Sequence, residues 1–442
     1  MNMSPELTTL LLFAGLLVGL AMNHPLAFVL GGLGVIFGLI GWGTDAFGMF
    51  ANRIYAVMDN YILVAGPLFI LMAQLLDRSG IAEGLFDTMR LWFRSVRGGI
   101  AVAVVVVSTL FAACTGIIGA SVVTMGVLAL PLMLKYDYDK RLSCGVICGG
   151  GVLGILIPPS IMLIFMADQA GLSVGKLFAG AIIPGLLLST LYILYILFRC
   201  WRHPEHGPAL PPEEAAGVSM PKLIVMTLKS LVPPMALIIG VLGSIFTGIC
   251  TPTEASASGA TIAFIMMILY GNFSWKALYE SVVQTAKITC MVYLIICGAS
   301  IFTAVFLGVG GGKVVSDLIL GMGLGKWGTF IIMMAIVFVL GGFIDWIGIV
   351  YIVFPIFLPI ADSFGFDRVW FVVIMAVMLQ DSFLTPPFGY ALFYLRGIAP
   401  PEVKTSDIYW GAIPFWELME LGLILCVIFP ELITWLPSVL VK

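Results

Sequence analysis

The stretch GILIPPSIML, residues 154–163, decides the fold because it places two consecutive prolines inside an apolar segment. Proline breaks a helix, and within a lipid bilayer every backbone carbonyl released by such a break needs a partner inside the protein. A second stretch, SFLTPPFGYAL at residues 382–392, has the same pattern. The 442-residue chain is 61% hydrophobic and 10% charged, whereas soluble domains carry about 25% charged residues. We therefore predict an all-α polytopic membrane protein in contact with bilayer lipid.

Apolar runs of about 20 residues are long enough to cross a bilayer as helices. Such runs predict five crossings on each side of a polar linker at residues 199–222. Two further segments, 98–134 and 327–361, are too long for one crossing and have glycine-containing middles. We interpret both as re-entrant hairpins that enter and leave on the same side. With the N-terminus outside, 15 of the 21 Lys and Arg residues lie inside, which agrees with the positive-inside rule and makes the linker cytoplasmic.

The two double-proline stretches lie 228 positions apart, as the pair Pro158 and Pro386 shows. The same offset places Pro131, near the end of the first predicted hairpin, on Pro359, near the end of the second. One offset thus relates several landmarks along the chain. The pattern indicates an internal repeat, although proline pairs in membrane helices also occur by chance.

The repeat divides the chain into a first unit at residues 1–198 and a second at 223–442. Each unit would hold one hairpin and one discontinuous helix, at 144–167 and 369–395. Five crossings per unit is an odd number, so the second copy must be inverted in the membrane. Inverted repeats with helices broken near the midplane are typical of secondary transporters, in which the freed backbone groups bind an ion or a substrate.

Na⁺ prefers hard oxygen ligands, as other hard cations do. Each break, together with the hairpin tip that faces it, offers such oxygens, and we predict one Na⁺ site at each. The first would use Thr115, Gly154, Ile157 and Pro159, and the second Gly341, Ser382, Thr385 and Phe388. The alternative interpretation is that these positions are only kinks and glycines for close helix packing.

Charged residues at membrane depth point to function. Asp345 lies at the second predicted hairpin tip and Asp381 just before the second break, so both are candidates for substrate binding. Ser121 on the first hairpin is a third candidate, since hydroxyls and helix N-termini can hold a carboxylate; packing roles stay open for all three. Glu254 begins a predicted span, where capping of the helix N-terminus is the better interpretation.

The sequence offers little support for other classes of function. The segment GVGGGK, residues 308–313, lacks the full phosphate-loop pattern, so ATP-driven transport is not indicated. A channel would need a continuous polar lining, and an intramembrane enzyme would need a cluster of catalytic groups at one depth. We expect neither, and no nucleic-acid partner.

The motifs GVLGILIPPSIMLI, GICTPTEASA, PLFILMAQLLDRSGIA and FIDWIGIVYIVFPIFLPI together resemble the large membrane subunit of tripartite ATP-independent periplasmic (TRAP) transporters. The resemblance covers essentially the whole chain. It implies a Na⁺-driven elevator-type carrier of organic anions, such as dicarboxylates, 2-oxo acids or sialic acids, in the bacterial inner membrane with a periplasmic N-terminus. It also implies two partners, a small four-helix membrane subunit and a periplasmic substrate-binding protein. A carrier that works without a binding protein shares this fold class and stays an alternative.

One departure from that family concerns the first hairpin tip, which commonly reads like S-G-S-S. Here the tip reads TGII, with Ile117 and Ile118 in place of two hydroxyl residues. If one of those serines is a ligand, the first Na⁺ site has lost it. The site would then depend on carbonyls and Thr115, or on a shifted partner such as Ser121.

Overall fold

A computed structural model describes residues 3–116, 118–211, 219–386 and 389–441. Within these ranges the regular secondary structure is entirely helical, which confirms the predicted all-α class. Eight helical segments in the described ranges are long and apolar enough to cross a membrane. The chain is therefore a multi-pass membrane protein.

The helices before the linker are α1 (Pro5–Ala21), α2 (Leu26–Trp42), α3 (Ala46–Met58), α4 (Ala65–Asp77), α5 (Ile81–Trp92), α6 (Gly99–Thr115), α7 (Ile118–Lys135), α8 (Lys140–Val152), α9 (Ile161–Ala170) and α10 (Val174–Arg202). Those after it are α11 (Met220–Phe246), α12 (Pro252–Leu269), α13 (Trp275–Gly308), α14 (Gly311–Gly321), α15 (Gly325–Gly341), α16 (Trp346–Ser363), α17 (Arg368–Leu384), α18 (Tyr390–Ile398), α19 (Thr405–Ile428) and α20 (Glu431–Leu440).

Several helix bounds in the two halves are related by the offset of 228 found in the sequence. Helix α16 begins and ends 228 residues after α7, and α17 begins 228 residues after α8. The side-chain amide of Gln380 in α17 donates a hydrogen bond of 3.0 Å to the carbonyl of Val152 in α8, again 228 residues away. Residues related by a two-fold axis approach one another near that axis, so this contact supports the predicted repeat.

Each predicted discontinuous helix consists of two helices separated by non-helical chain. In the first, a short 3₁₀ turn at Leu153–Ile155 follows α8, and α9 begins only at Ile161. The hydroxyl of Ser160 caps α9 by accepting from the Leu163 N–H, which satisfies one of the donors that a new helix start leaves unpaired. In the second, α17 ends at Leu384 and α18 begins at Tyr390.

The polar linker is shorter than its composition suggested, because α10 continues to Arg202 and α11 begins at Met220. Arg199 and Arg202 lie in the last turn of α10. Their positive charges stabilise this end of the helix, because the helix dipole is negative at its C-terminus. Arg199 also forms an ion pair of 2.9 Å with Asp139, the residue that caps α8. The beginning of the linker is thereby held against the first repeat unit.

The contact between α8 and α19 brings two backbones together. A Cβ atom added to Gly145 would lie 2.0 Å from the carbonyl oxygen of Gly411, and one added to Gly411 would lie 2.1 Å from the carbonyl oxygen of Arg141. Backbone atoms cannot rotate away as a side chain can. Glycine is therefore required on both helices at this crossing.

We expect Gly145→Ala to lower the free energy of unfolding. Overpacking typically costs about 1–3 kcal/mol, and we expect a value at the upper end of that range. Gly240→Ala is the matched control, since a Cβ at Gly240 in α11 meets no atom within 4 Å and alanine favours helix. The measurement is the midpoint of thermal unfolding in detergent. Equal midpoints for the two variants would contradict the close crossing.

Candidate functional site

The tip of the first hairpin, between α6 and α7, packs against the first helix break. Gly116 at this tip has a positive φ of 60°, and a Cβ there would lie 3.1 Å from the Pro159 carbonyl oxygen and 3.3 Å from the Ile161 N–H nitrogen. The glycine therefore lets the tip backbone reach the break, and a side chain would occupy the space between them. Of the predicted ligands, Ile157 and Pro159 lie in the non-helical chain of this break.

The other predicted members of the first site surround this contact. Gly154 lies within the 3₁₀ turn that follows α8, and Thr115 is the last residue of α6. Ile117 is outside the described residues. Ser121 lies in α7, one turn beyond the tip, and is fully buried.

In the second hairpin, the end of the first helix packs against α17 just before the second break. A Cβ added to Gly341, the last residue of α15, would lie 2.6 Å from the Cβ of Ser382. The Ser382 hydroxyl donates to the Leu379 carbonyl at 2.6 Å, and the Thr385 hydroxyl donates to the Asp381 carbonyl at 2.8 Å. Since each hydroxyl hydrogen is already used, the oxygen lone pairs are directed away from the helix and can face a cation.

Phe388, the fourth predicted ligand of the second site, lies outside the described residues. Gly341, Ser382 and Thr385 therefore represent this site in the structure. Gly341 meets Ser382 near the end of α17, and Thr385 follows directly after that end, where the helical ladder stops and backbone carbonyls lose their intrahelical partners.

The short helices that follow the breaks connect the two hairpins. A Cβ added to Gly119 of the first hairpin would lie 3.2 Å from the ring of Tyr394 in α18. The mirrored contact joins Trp346 of the second hairpin to Phe165 in α9, with ring centroids 5.9 Å apart. Each hairpin thus touches the helix that follows the opposite break.

Asp345 is the acid that the structure places at a hairpin tip. It occupies the N-cap position of α16, is half-buried, and lies beside the N–H groups of Trp346 and Ile347. The phenol groups of Tyr390 and Tyr394 lie close enough to interact electrostatically with the Asp345 carboxyl group. A carboxylate, phenol hydroxyls and helix N–H groups at one tip can hydrogen-bond a polar substrate.

The structure places Asp381 in a different environment. Its side chain is fully buried, and neither carboxylate oxygen has a hydrogen-bond partner among the described residues. The groups that act on it electrostatically are Glu420 in α19 and the Tyr192 hydroxyl in α10, which is also without a partner there. Both groups lie outside the two hairpins.

Glu420 is the residue of this cluster that reasoning from the sequence missed. The sequence did contain a signal for it, since Glu420 is an acidic residue within an apolar segment. An acidic residue inside a membrane helix is a candidate for a functional role. Its proximity to Asp381 depends on the packing of α17 against α19 and has no counterpart in the local sequence.

Glu254 serves as a helix cap, as predicted. Its side chain accepts from the backbone N–H of Thr251 at 2.8 Å, while the Thr251 hydroxyl accepts from the Glu254 N–H at 3.3 Å. This reciprocal pair is a capping box. The cap residue is Thr251, whereas the neighbouring Thr253 donates to the Tyr61 carbonyl.

The tip contact of Gly116 leads to a stability prediction. Gly116→Ala and Gly171→Ala both force alanine into the left-handed region, at a cost of about 1–2 kcal/mol each. Gly171 has a φ of 62° and no atom within 4 Å of an added Cβ, so it is the matched control. We expect a lower thermal unfolding midpoint for Gly116→Ala, because only this variant also pushes the tip off the Pro159 carbonyl. Indistinguishable midpoints would show that the tip does not pack on the break.

The fold resembles that of a solved membrane transporter. The structure of the YdaH transporter from Alcanivorax borkumensis, described as having an unusual topology, superposes with a TM-score of 0.63 over 96% of this chain and 98% of that one. The sequences are 14% identical, so the likeness concerns the fold alone.

Comparison with characterised sequences identifies a family. The family model for the "Tripartite ATP-independent periplasmic transporter, DctM component" matches residues 13–432. The C4-dicarboxylate TRAP transporter large permease protein DctM of Vibrio cholerae is 32% identical over 97% of both chains. The ectoine TRAP transporter large permease protein TeaC of Halomonas elongata is 26% identical over 95% of this chain and 96% of its own, and the sialic acid large permease protein SiaM of Vibrio cholerae is 25% identical over 97% and 96%. The chain therefore belongs to the DctM component family of tripartite ATP-independent periplasmic transporters.

Proposed function

We propose that the protein is the large membrane subunit of a Na⁺-coupled symporter that takes up an organic anion by an elevator mechanism. The observation that carries this proposal is the packing of each hairpin tip on its own helix break, at Gly116 with Pro159 and at Gly341 with Ser382. Two such junctions, one in each half of the chain, supply two oxygen-rich positions where Na⁺ could bind. Binding at both would fasten the tips to the breaks and let them move as one body.

The chemistry of the two junctions suits a monovalent hard cation. Backbone carbonyls at Ile157 and Pro159 and the hydroxyls of Ser382 and Thr385 are neutral oxygen ligands. Neutral ligands hold Na⁺ without placing an isolated negative charge at membrane depth when the ion leaves, which would be costly. Such sites therefore suit an ion that must bind and dissociate in every transport cycle.

The substrate would bind between the hairpin tips, near Asp345 and the tyrosines of α18. Relatives in the family are named for C4-dicarboxylates, sialic acid and ectoine, all small and highly polar compounds. Dicarboxylates, 2-oxo acids and sugar acids are the classes that we expect for this chain. Helix N-termini at the tips would contribute N–H donors for a carboxylate.

The proposal includes two protein partners in the inner membrane and the periplasm. A tripartite transporter has three components, so a small four-helix membrane subunit and a periplasmic substrate-binding protein would complete this one. The binding protein would deliver the anion to the periplasmic side, where the proposal also places the N-terminus, and the linker would be cytoplasmic. A Na⁺/carboxylate symporter that needs no binding protein is the alternative, and a channel is a weaker one.

Uptake into proteoliposomes tests the proposal. The vesicles would hold this chain with its small subunit, and a panel of radiolabelled organic acids would be offered with and without a Na⁺ gradient and with and without the cognate binding protein. We expect uptake of at least one acid that requires both. Uptake that requires only the Na⁺ gradient would favour the binding-protein-independent symporter, and uptake that ignores the gradient would overturn Na⁺ coupling.

The second Na⁺ site leads to a more specific prediction. Thr385→Ala removes a proposed ligand, so the Na⁺ concentration for half-maximal uptake should rise several-fold while the protein stays folded. Thr190→Ala is the matched control, because the Thr190 hydroxyl makes the same i to i−4 hydrogen bond on the exposed face of α10. The measurement is initial uptake rate against Na⁺ concentration. A similar Na⁺ dependence in both variants would remove Thr385 from the site.

A further inference from the structure

A cavity of about 270 Å³ lies beside the second hairpin, away from both tip junctions. Its walls come from α3, the end of α9, α13 and α16. The polar residues that line it are Arg53, Asn60, Asp168, Gln169, Ser300, Thr303 and Tyr351. None of them was singled out from the sequence, and none belongs to the proposed Na⁺ sites.

The cavity lies along a path from the hairpin tip to one face of the membrane. Tyr351 follows Asp345 by six residues along α16, which is about 9 Å at 1.5 Å per helical residue. Pro355, one turn farther along α16, also lines the cavity, as does Arg53 near the end of α3. In the predicted topology Arg53 is on the outer side, so the cavity lies between that side and the tip.

Arg53 and the Tyr351 hydroxyl are polar groups of the cavity that form no hydrogen bond or ion pair with another described residue. Arg53 is exposed and has no ion pair or hydrogen bond among the described residues. The side chain of Tyr351 is 4% exposed, and its hydroxyl has no hydrogen-bond partner in the described part of the chain, although Gln169 lies beside it. A buried hydroxyl without a partner is costly, unless a ligand supplies the missing bond.

The one carboxylate among the described residues that line the cavity, that of Asp168, already accepts two hydrogen bonds. Asn60 donates to one oxygen of Asp168 at 2.7 Å, and Gln169 donates to the other at 3.1 Å. These bonds disperse its negative charge and orient it. The Thr303 hydroxyl donates to the Tyr351 carbonyl at 2.8 Å, which fixes the segment that carries the unpartnered phenol.

We infer that this cavity is an entry site for the transported acid, in which Arg53 pairs with a substrate carboxylate and a small rotation of the Tyr351 side chain brings its buried, unpartnered hydroxyl to the substrate. The inference rests on the proposed function and adds a second binding position, outward of the tips. A guanidinium recognises a carboxylate through paired N–H donors. The volume is just below the usual range for ligand pockets, about 300–1,000 Å³, which suits a small organic acid.

Equilibrium binding tests the entry site without the binding protein. The chain and its small subunit would be reconstituted in nanodiscs, and binding of the radiolabelled acid that wild-type vesicles take up would be measured by competition with the same acid and with its methyl ester. We expect Arg53→Gln to weaken binding of the acid about tenfold and to lose the preference for the acid over its ester. Arg53→Lys, which keeps the charge, should retain the preference.

Two further variants make the result interpretable. Lys313→Gln removes one positive charge at an exposed position in α14, away from the cavity lining, and should bind the acid as the wild type does. Tyr351→Phe removes one hydroxyl without changing the side-chain shape, so it tests the cavity even where an Arg53 variant folds poorly. We expect Tyr351→Phe to weaken binding several-fold.

The outcomes separate the entry site from other roles of Arg53. Unchanged binding in both Arg53→Gln and Tyr351→Phe would overturn the inference. Unchanged binding with a higher half-saturating concentration of binding protein in uptake would also overturn it and assign Arg53 to protein docking. A wild-type protein that takes up no acid at all would instead contradict the proposed function, so the two failures are distinguishable.

Discussion

Breaking a helix at membrane depth is the constraint on which the rest of this structure depends. The chain leaves the helical ladder after Val152 and again after Leu384, and lipid cannot pair with the backbone groups that are released. Protein must cover them, and the hairpin tips do so at close range. Gly116 and Gly341 make that approach possible because neither carries a Cβ that would collide with the break.

The packing that covers the breaks also gathers the oxygen atoms that could bind an ion. A hairpin tip held by a few contacts against non-helical chain leaves carbonyl and hydroxyl oxygens grouped at one point, as around Pro159 and Ser382. In the proposed mechanism, a Na⁺ ion that enters such a group would replace missing backbone partners and strengthen the junction. Ion binding and stability of the moving part would then be the same event, which is the physical basis for coupling Na⁺ to substrate transport in the proposed mechanism.

Polar residues away from the tips divide into two environments. Asp381, which is fully buried, and Glu420, which is half-buried, lie close to one another between α17 and α19. Arg53 and Tyr351 face a cavity with room for a ligand. The first pair belongs to the interior of the helical packing, whereas the second lies on a path that a solute could follow.

The sequence by itself determined the membrane class, the positions of the two breaks and the offset of 228 that relates their helices, because hydropathy, proline and glycine act through local backbone chemistry. It also indicated the hydroxyls of Ser382 and Thr385, which lie within the motif itself. Only the tertiary structure decided that Asp381 faces Glu420, that Gly119 meets Tyr394, and that Arg53 and Tyr351 share a cavity. These contacts join residues far apart in the chain, and their geometry depends on helix rotation and crossing, which no local pattern specifies.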